Sequence, residues 1–288
     1  MNFDLKDKVA TVTGGAMGIG EAAAPKLAAE GAAVAVLDTN REAGERTAAE
    51  IANRGAACDF FAGDLSHASE TSRAIDAVVA KFGPIDVLVS NAGIQDYGDV
   101  LTTTEQAWDR RMGVNLKGCF LIAKFAVPHT LKRGNAAIVV VGSAQSMTAV
   151  GNSVAYLTAK HGLLGRPVPW RSTSRRKALA SIVFAPVRLI LPCCAGPRAW
   201  IPIRKESFAL APACTAMGRI GRSDEVADAI CLPRLAFVLV HYRRHSGCGW
   251  RHACTNRRDG FPGGRYGGSD QGMIFSISSR RNLDRLPD

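Results

Sequence analysis

Tyr156 and Lys160 stand four residues apart in Tyr156-Leu-Thr-Ala-Lys160, so on a helix they share a face one turn apart. That spacing has a chemical use. A free phenol titrates near ~10 and is a poor base at neutral pH. An ammonium beside it favours the phenolate and lowers that value. Ser143 lies thirteen residues upstream, directly after the apolar run Ala136 to Val141. Its hydroxyl can hold a substrate oxygen while Tyr156 exchanges a proton with it. The plain alternative is a surface Tyr-x-x-x-Lys pair with no chemistry attached.

A second group of residues could hold a phosphate-bearing ligand. Gly14-Gly-Ala-Met-Gly18-Ile19-Gly20 follows the short apolar run Lys8 to Thr13. Gly14 permits a sharp turn, and Gly18 and Gly20 let phosphates approach the backbone where a helix begins. The spacing is G-x-x-x-G-x-G and differs from the G-x-G-x-x-G fingerprint. Asp38 ends the next apolar run, 18 residues after Gly20. A carboxylate there bonds the ribose hydroxyls of NAD and repels the 2′-phosphate of NADP. Arg41 is the nearby cation that would offset the repulsion, and a solvated turn residue is the plain alternative for Asp38.

The elements that must position these groups alternate regularly. Strands are expected at 8–13, 33–38, 57–61, 86–90 and 136–141. Helices are expected at about 19–30, 41–54, 66–82 with Ser66 as cap, and 104–133 with a bend at Pro128. Gly31, Gly55 and Gly83 close the first three helices. Pro25 falls inside the first helix with no evident reason. Strand–helix alternation of this kind predicts an α/β fold, a Rossmann-type doubly wound parallel sheet with helices on both faces in a single domain. The ligand then sits at the C-terminal strand ends.

With these residues in place, the chain resembles the classical subgroup of the short-chain dehydrogenase/reductase family. The matching motifs are Thr13-Gly14-x-x-x-Gly18-x-Gly20, Asp64-Leu65, Asn91-Ala92-Gly93, Asn115, Ser143 and Tyr156-x-x-x-Lys160. The match is continuous over 5–165, with an island at 217–230. The resemblance implies that Asp64 and Leu65 border the adenine, and that Asn91, Ala92 and Gly93 line the cofactor and steady the sheet. It implies that Asn115 lies in a helix and orders a water on the proton route. It also makes Ser143 the holder of the reacting oxygen, Tyr156 the acid/base, and Lys160 its activator and a ligand of the nicotinamide ribose. Ser143, Gln145 and Tyr156 are the expected substrate contacts, with Gln95, Tyr97 and Met147 near the pocket. The implied cofactor is NAD ahead of NADP, with no metal. The implied partners are a small alcohol or ketone and further copies of the chain in a homotetramer or homodimer.

The pattern breaks after Gly165, where Arg166-Pro-Val-Pro169 should end the helix bearing Tyr156. No sixth strand, nicotinamide-contacting turn or substrate lid is recognisable in the residues that follow. Composition shifts at the same point. Residues 166–288 hold 21 of the 36 Lys+Arg, six of the eight cysteines and ten of the 13 prolines. The pattern returns at Met217 to Ile230, with Ser223 expected as helix cap, and is lost again in an Arg-, His- and Cys-rich tail. A coding sequence read out of frame over 166–216 and again after 230 accounts for such an island. On that reading 1–165 is the NAD-binding and catalytic core, and 166–288 is an altered remainder of the same domain.

Rival readings use the same residues. An NADPH-dependent ketoreductase of the same fold is disfavoured by Asp38. A non-catalytic NAD-binding scaffold would suit a damaged second half. A basic nucleic-acid-binding protein would use Arg175-Arg176, Arg243-Arg244 and Arg257-Arg258 against phosphates, and no sequence-specific binding is expected of it. The tail's His241, His245, Cys248, His252 and Cys254 match no zinc spacing. The charged N-terminus shows no secretory signal, and Ala178 to Gly196 is too interrupted to span a bilayer, so a cytoplasmic protein is expected.

Overall fold

The structure is a computed structural model that describes residues 5–133, 135–146, 149, 151–165 and 221–231, together with the backbone of 178–184, 238–241 and 274–277. Six strands form one parallel sheet: β1 (Val9–Thr13), β2 (Ala33–Asp38), β3 (Cys58–Ala62), β4 (Val87–Ser90), β5 (Asn135–Val141) and β6 (Ala178–Phe184). Their order is β3-β2-β1-β4-β5-β6, and every neighbouring pair is parallel. The order reverses between β1 and β4, which leaves a crevice at their C-terminal ends. The first five strands match the expectation within a residue or so.

β6 corrects the expectation that no sixth strand follows Gly165. It pairs with β5 over seven positions, from Asn135 against Ala178 to Val141 against Phe184. Ala-Leu-Ala-Ser-Ile-Val-Phe is an apolar, partly β-branched run of strand length. Two short strands, β7 (Val238–His241) and β8 (Ile274–Ile277), form a separate antiparallel pair. Of the tail's His and Cys cluster, only the backbone of His241 lies within the described residues. Residues 166–177, with the predicted helix-ending prolines, lie outside them, as do Met147 and the Arg pairs.

Alternation along the strands builds two cores. On one face Val12, Val34, Val36, Val89 and Val139 pack with Ala23, Ala24 and Leu27 of α1 (Gly18–Ala29) and with Ala227 and Ile230 of α7 (Ser223–Ile230). On the other, Leu37, Leu88, Ile138 and Val140 pack against α3 (Ala68–Phe82), α5 (Gly118–Arg133) and α6 (Val154–Leu164). Between them in the chain lie α2 (Arg41–Ala52) and α4 (Glu105–Met112). Near-continuous apolar strands are what a sheet covered on both faces requires. α1 ends in a Schellman turn. Gly31, at φ +96°, donates to the Ala28 carbonyl at 2.9 Å, and Ala32 donates to Leu27 at 3.2 Å. Pro25 sits inside α1 without ending it.

Three local expectations are corrected. The helix expected over 104–133 is divided by a π-helical turn, Gly113–Lys117, between α4 and α5. α3 has His67 at its N-cap position, without a side-chain cap bond, and not Ser66, whose hydroxyl donates to Asp64 at 2.7 Å. α7 has Arg222 at its N-cap, with Ser223 as its first helical residue. The Arg222 N–H donates to Glu225 at 2.7 Å.

Candidate active site

The crevice at the β1/β4 ends opens into a cleft of about 930 Å³. Gly14, Ile19, Asp38, Asp64, Leu65, Asn91, Ala92 and Gly93 line it, together with Ser143, Tyr156 and Lys160. Both groups singled out in the sequence therefore face one space. The start of α7, inside the 217–230 island, also borders it through Arg222, Ser223 and Val226.

The glycine turn is held from below. Thr13 Oγ1 accepts from the N–H groups of Asn91 and Ala92 at 3.0 and 3.1 Å, and the Asn91 amide donates to the carbonyls of Thr13 and Gly14, both at 3.1 Å. Gly18 has φ +62° and nothing within 4 Å of where a Cβ would stand. That open backbone at the start of α1 fits a phosphate, since helix N-terminal N–H groups favour anions. A Cβ at Gly20 would lie 2.1 Å from the Gly14 carbonyl oxygen, so its missing side chain lets the helix pack against the turn.

Asp38 stands at the end of β2. One carboxylate oxygen accepts from Ala16 N–H at 3.1 Å, and the other from Asn40 N–H at 3.0 Å. The carboxylate is thereby fixed beside the glycine turn. Arg41 turns along its own helix to Glu45 at 2.8 Å and lies 5.7 Å from the Phe60 ring centre. Asp64 accepts from the backbone and hydroxyl of Ser66 at 2.8 and 2.7 Å. Burial pushes the Asp64 carboxyl up, but these bonds and nearby His67 outweigh it and hold it below the usual carboxylate range.

Asn115 sits in the π-helical turn and is 1% exposed. Its carbonyl accepts from Ile94 N–H at 2.7 Å, and its amide donates to the Ile94 carbonyl at 2.9 Å. Both ends of the side chain thus clamp the loop after β4. Gly93 is tight against this clamp, its Cβ position being 3.0 Å from Asn115 Oδ1.

Ser143, Tyr156 and Lys160 converge as their spacing predicts. Lys160 is 5% exposed and donates to the Val141 carbonyl at 3.0 Å; its Nζ lies 5.6 Å from the Tyr156 ring centre. Burial lowers its pKa from 10.5 to about 8, with Cys119 acting in the opposite sense. Tyr156 is half-buried, and its pKa departs from the expected direction. Burial pushes the phenol up, the Ser143 hydrogen bond pulls it down, and nearby Tyr97 pushes it up, for a net rise. Burial is the largest cause, and Lys160, expected to lower the phenol, is not among the groups that shift it. Gln95 lines the cleft wall, whereas Gln145, expected at the substrate, does not; its side chain is bonded to Ser153.

A six-stranded doubly wound sheet with a glycine turn, an acidic strand end and a Ser–Tyr–Lys cluster in one cleft defines the class of a dinucleotide-binding α/β protein. The family description for short chain dehydrogenase matches residues 8–171, and the chain belongs to that family. The D-threitol dehydrogenase of Mycolicibacterium smegmatis is 38% identical over 164 residues, 57% of this chain and 63% of that enzyme. An uncharacterized oxidoreductase of Thermotoga maritima is 38% identical over 165 residues, 57% of this chain and 64% of that protein. The chain thus spans less than two thirds of the length of these curated relatives. A 3-oxoacyl-acyl-carrier-protein reductase of Thermotoga maritima is 30% identical over 226 residues, 78% of this chain and 89% of that protein, so its match runs beyond residue 171. Among solved structures, a gluconate 5-dehydrogenase from Burkholderia cenocepacia in complex with NADP and tartrate superposes with a TM-score of 0.71 at 28% identity. It covers 81% of this chain and 89% of that one.

Proposed function

We propose that the chain is an NAD-dependent oxidoreductase that moves a hydride between a secondary alcohol, or its ketone, and a nicotinamide ring. The observation that carries this reading is the convergence of Ser143, Tyr156 and Lys160 on the cleft that begins at the glycine turn. The open backbone at Gly18 and the fixed carboxylate of Asp38 fit a dinucleotide's phosphate and adenosine ribose. When bound, the nicotinamide supplies the hydride acceptor or donor.

The chain's own residues supply the rest. Ser143 holds the substrate oxygen, and Tyr156 exchanges a proton with it through the phenol oxygen. Lys160, buried beside the phenol, would hold the ribose of the nicotinamide through its ammonium. Because burial keeps the phenol protonated, Tyr156 stands ready to give its proton to a carbonyl oxygen. Alcohol oxidation requires the phenolate, so its rate should climb as pH rises above neutral. Asn115 keeps the loop after β4 in place beside this cluster.

NAD is preferred to NADP on the charge of Asp38 and on the pairing of Arg41 with Glu45 along α2. The rival reading, an NADPH-dependent ketoreductase, draws on the NADP held by the gluconate 5-dehydrogenase and by a metagenomic short-chain oxidoreductase, which superposes with a TM-score of 0.65 at 27% identity and covers 80% of this chain and 90% of that one. Cytoplasmic residence, a homo-oligomer and a catalytic core over 1–165 belong to the same proposal. Among the described residues, no helix is long and apolar enough to cross a membrane. The test is a screen of secondary alcohols with NAD and with NADP, read by absorbance of the reduced cofactor. Turnover with NADP alone would move the assignment to the rival, and no turnover with either would remove it.

A further inference from the structure

Two buried serines outside the proposed cluster connect its members. Ser146 is fully buried and Ser153 is 2% exposed. Ser146 Oγ accepts from Ser143 N–H at 3.0 Å, and Ser146 N–H donates to the Ser143 carbonyl at 2.9 Å. These two bonds close the short turn Ala144–Ser146. Within it, Gln145 N–H donates to Ser143 Oγ at 3.2 Å. An acceptor position on that hydroxyl is then occupied, which leaves its proton to point elsewhere. The Ser143 hydrogen bond to the Tyr156 phenol uses that freedom.

Ser153 stands at the N-cap of α6, where serine is favoured because its oxygen accepts from the first-turn N–H groups, worth about 1 kcal/mol. Here it makes no such bond. Its hydroxyl donates instead to Gln145 Oε1 at 2.9 Å. The backbone around it is fastened separately: Gly98 N–H donates to Asn152 at 2.9 Å, and Val154 N–H donates to Gly98 at 3.1 Å. A serine that forgoes its cap to reach a glutamine eight residues upstream joins the turn carrying Ser143 to the helix carrying Tyr156, three residues on.

We propose that Ser153 and Gln145 are positioning residues, a strap whose hydrogen bond sets the Ser143 hydroxyl against the Tyr156 phenol. The proposal rests on the roles given above to Ser143 and Tyr156. It moves Gln145 from substrate contact to support, since its side-chain carbonyl is taken by Ser153. Loss of the strap frees the turn relative to α6. A shift of ~1 Å between reacting groups costs as much as roughly 100-fold in rate, so a partial loosening should cost about tenfold.

The test uses the full chain with Ser153→Ala, Ser153→Thr, Ser153→Gly and Gln145→Met. The Tyr156 phenol is titrated by NMR with ring-labelled tyrosine, its resonance assigned by its absence in Tyr156→Phe. Alcohol oxidation is measured in parallel. Ser153→Ala and Gln145→Met should raise the phenol's midpoint and lower kcat about tenfold, with little change in cofactor KM or Tm. Ser153→Thr should restore both. Ser153→Gly separates the strap from simple capping, because glycine is tolerated at an N-cap nearly as well as serine but has no hydroxyl for Gln145. As a strap residue it behaves like Ser153→Ala; wild-type behaviour would overturn the proposal. So would an unmoved phenol titration in Gln145→Met, a variant that leaves the N-cap intact. If the wild-type chain oxidises no alcohol, the oxidoreductase reading falls while the titration still decides the strap.

Discussion

Replacing Lys160 with methionine keeps the apolar stem and deletes the buried charge. Lys160 is 5% exposed, and burial lowers its pKa from 10.5 to about 8. At about 1.36 kcal/mol per unit, that corresponds to roughly 3 kcal/mol of penalty on the charged form in the folded chain. The variant also loses the Nζ bond to the Val141 carbonyl, worth about 1 kcal/mol. The net expectation at pH 7 is a gain of roughly 2 kcal/mol, or a Tm higher by about 4 °C. The pH dependence has a definite sign. Below about pH 8 the lysine is protonated in both states, and the full penalty weighs on the fold. Between about 8 and 10.5 the unfolded chain holds more protons, so wild-type stability rises with pH through that window. Urea denaturation of both proteins at pH 7 and 9.5 reads the effect. Lys160→Met should be the more stable at pH 7, and its advantage should shrink at pH 9.5. A variant less stable than wild type at pH 7, or an advantage independent of pH, refutes the reasoning. A stabilised but inactive variant is the pattern expected where a site holds its chemistry at the cost of stability.

Asp38→Asn removes the charge while leaving an oxygen for Ala16 N–H. It should raise the NADP-to-NAD ratio of kcat/KM roughly tenfold, as expected for ~1.4 kcal/mol; an unchanged ratio in steady-state kinetics removes Asp38 from cofactor choice. The frame reading of 166–216 and 231–288 predicts that a frame-restored chain, with 1–165 unchanged, exceeds the chain as written in soluble yield and NAD-linked activity. Equal yield and activity, or a resequenced gene with an intact frame, would show that 166–288 is a fold solution in its own right.

Much of the first half was legible because its signals are local. Runs such as Ala33 to Asp38 between helical stretches set the strands, and Gly31 marked the end of α1. Helical spacing puts Tyr156 and Lys160 on one face, and the motifs around them give the pair its chemical reading. The rest depends on contacts between distant residues. Nothing in Gly113-Val-Asn-Leu-Lys117 announces a π-helical turn, and Asn115 is explained by Ile94, 21 residues away. The direction of the Tyr156 shift depends on burial, which the Tyr-x-x-x-Lys spacing does not reveal. β6 is hard to read from the sequence because Ala178 to Phe184 is closely followed by Pro186 and Arg188, which obscure a strand-length apolar run. Nothing in the sequence singles out Ser153, and only its bond to Gln145 discloses its use.

The central claim is that Tyr156 exchanges the substrate proton during hydride transfer in this cleft. The direct measurement is initial-rate reduction of NAD by secondary alcohols with the full chain, wild type beside Tyr156→Phe, across pH 6 to 10, with NAD affinity measured separately by calorimetry. The account predicts a wild-type rate that climbs with pH toward the raised phenol pKa. It predicts a fall of at least about 100-fold in Tyr156→Phe, the lower end for loss of a general acid–base group, with NAD binding retained. A Tyr156→Phe variant that keeps wild-type kcat and pH profile would contradict it.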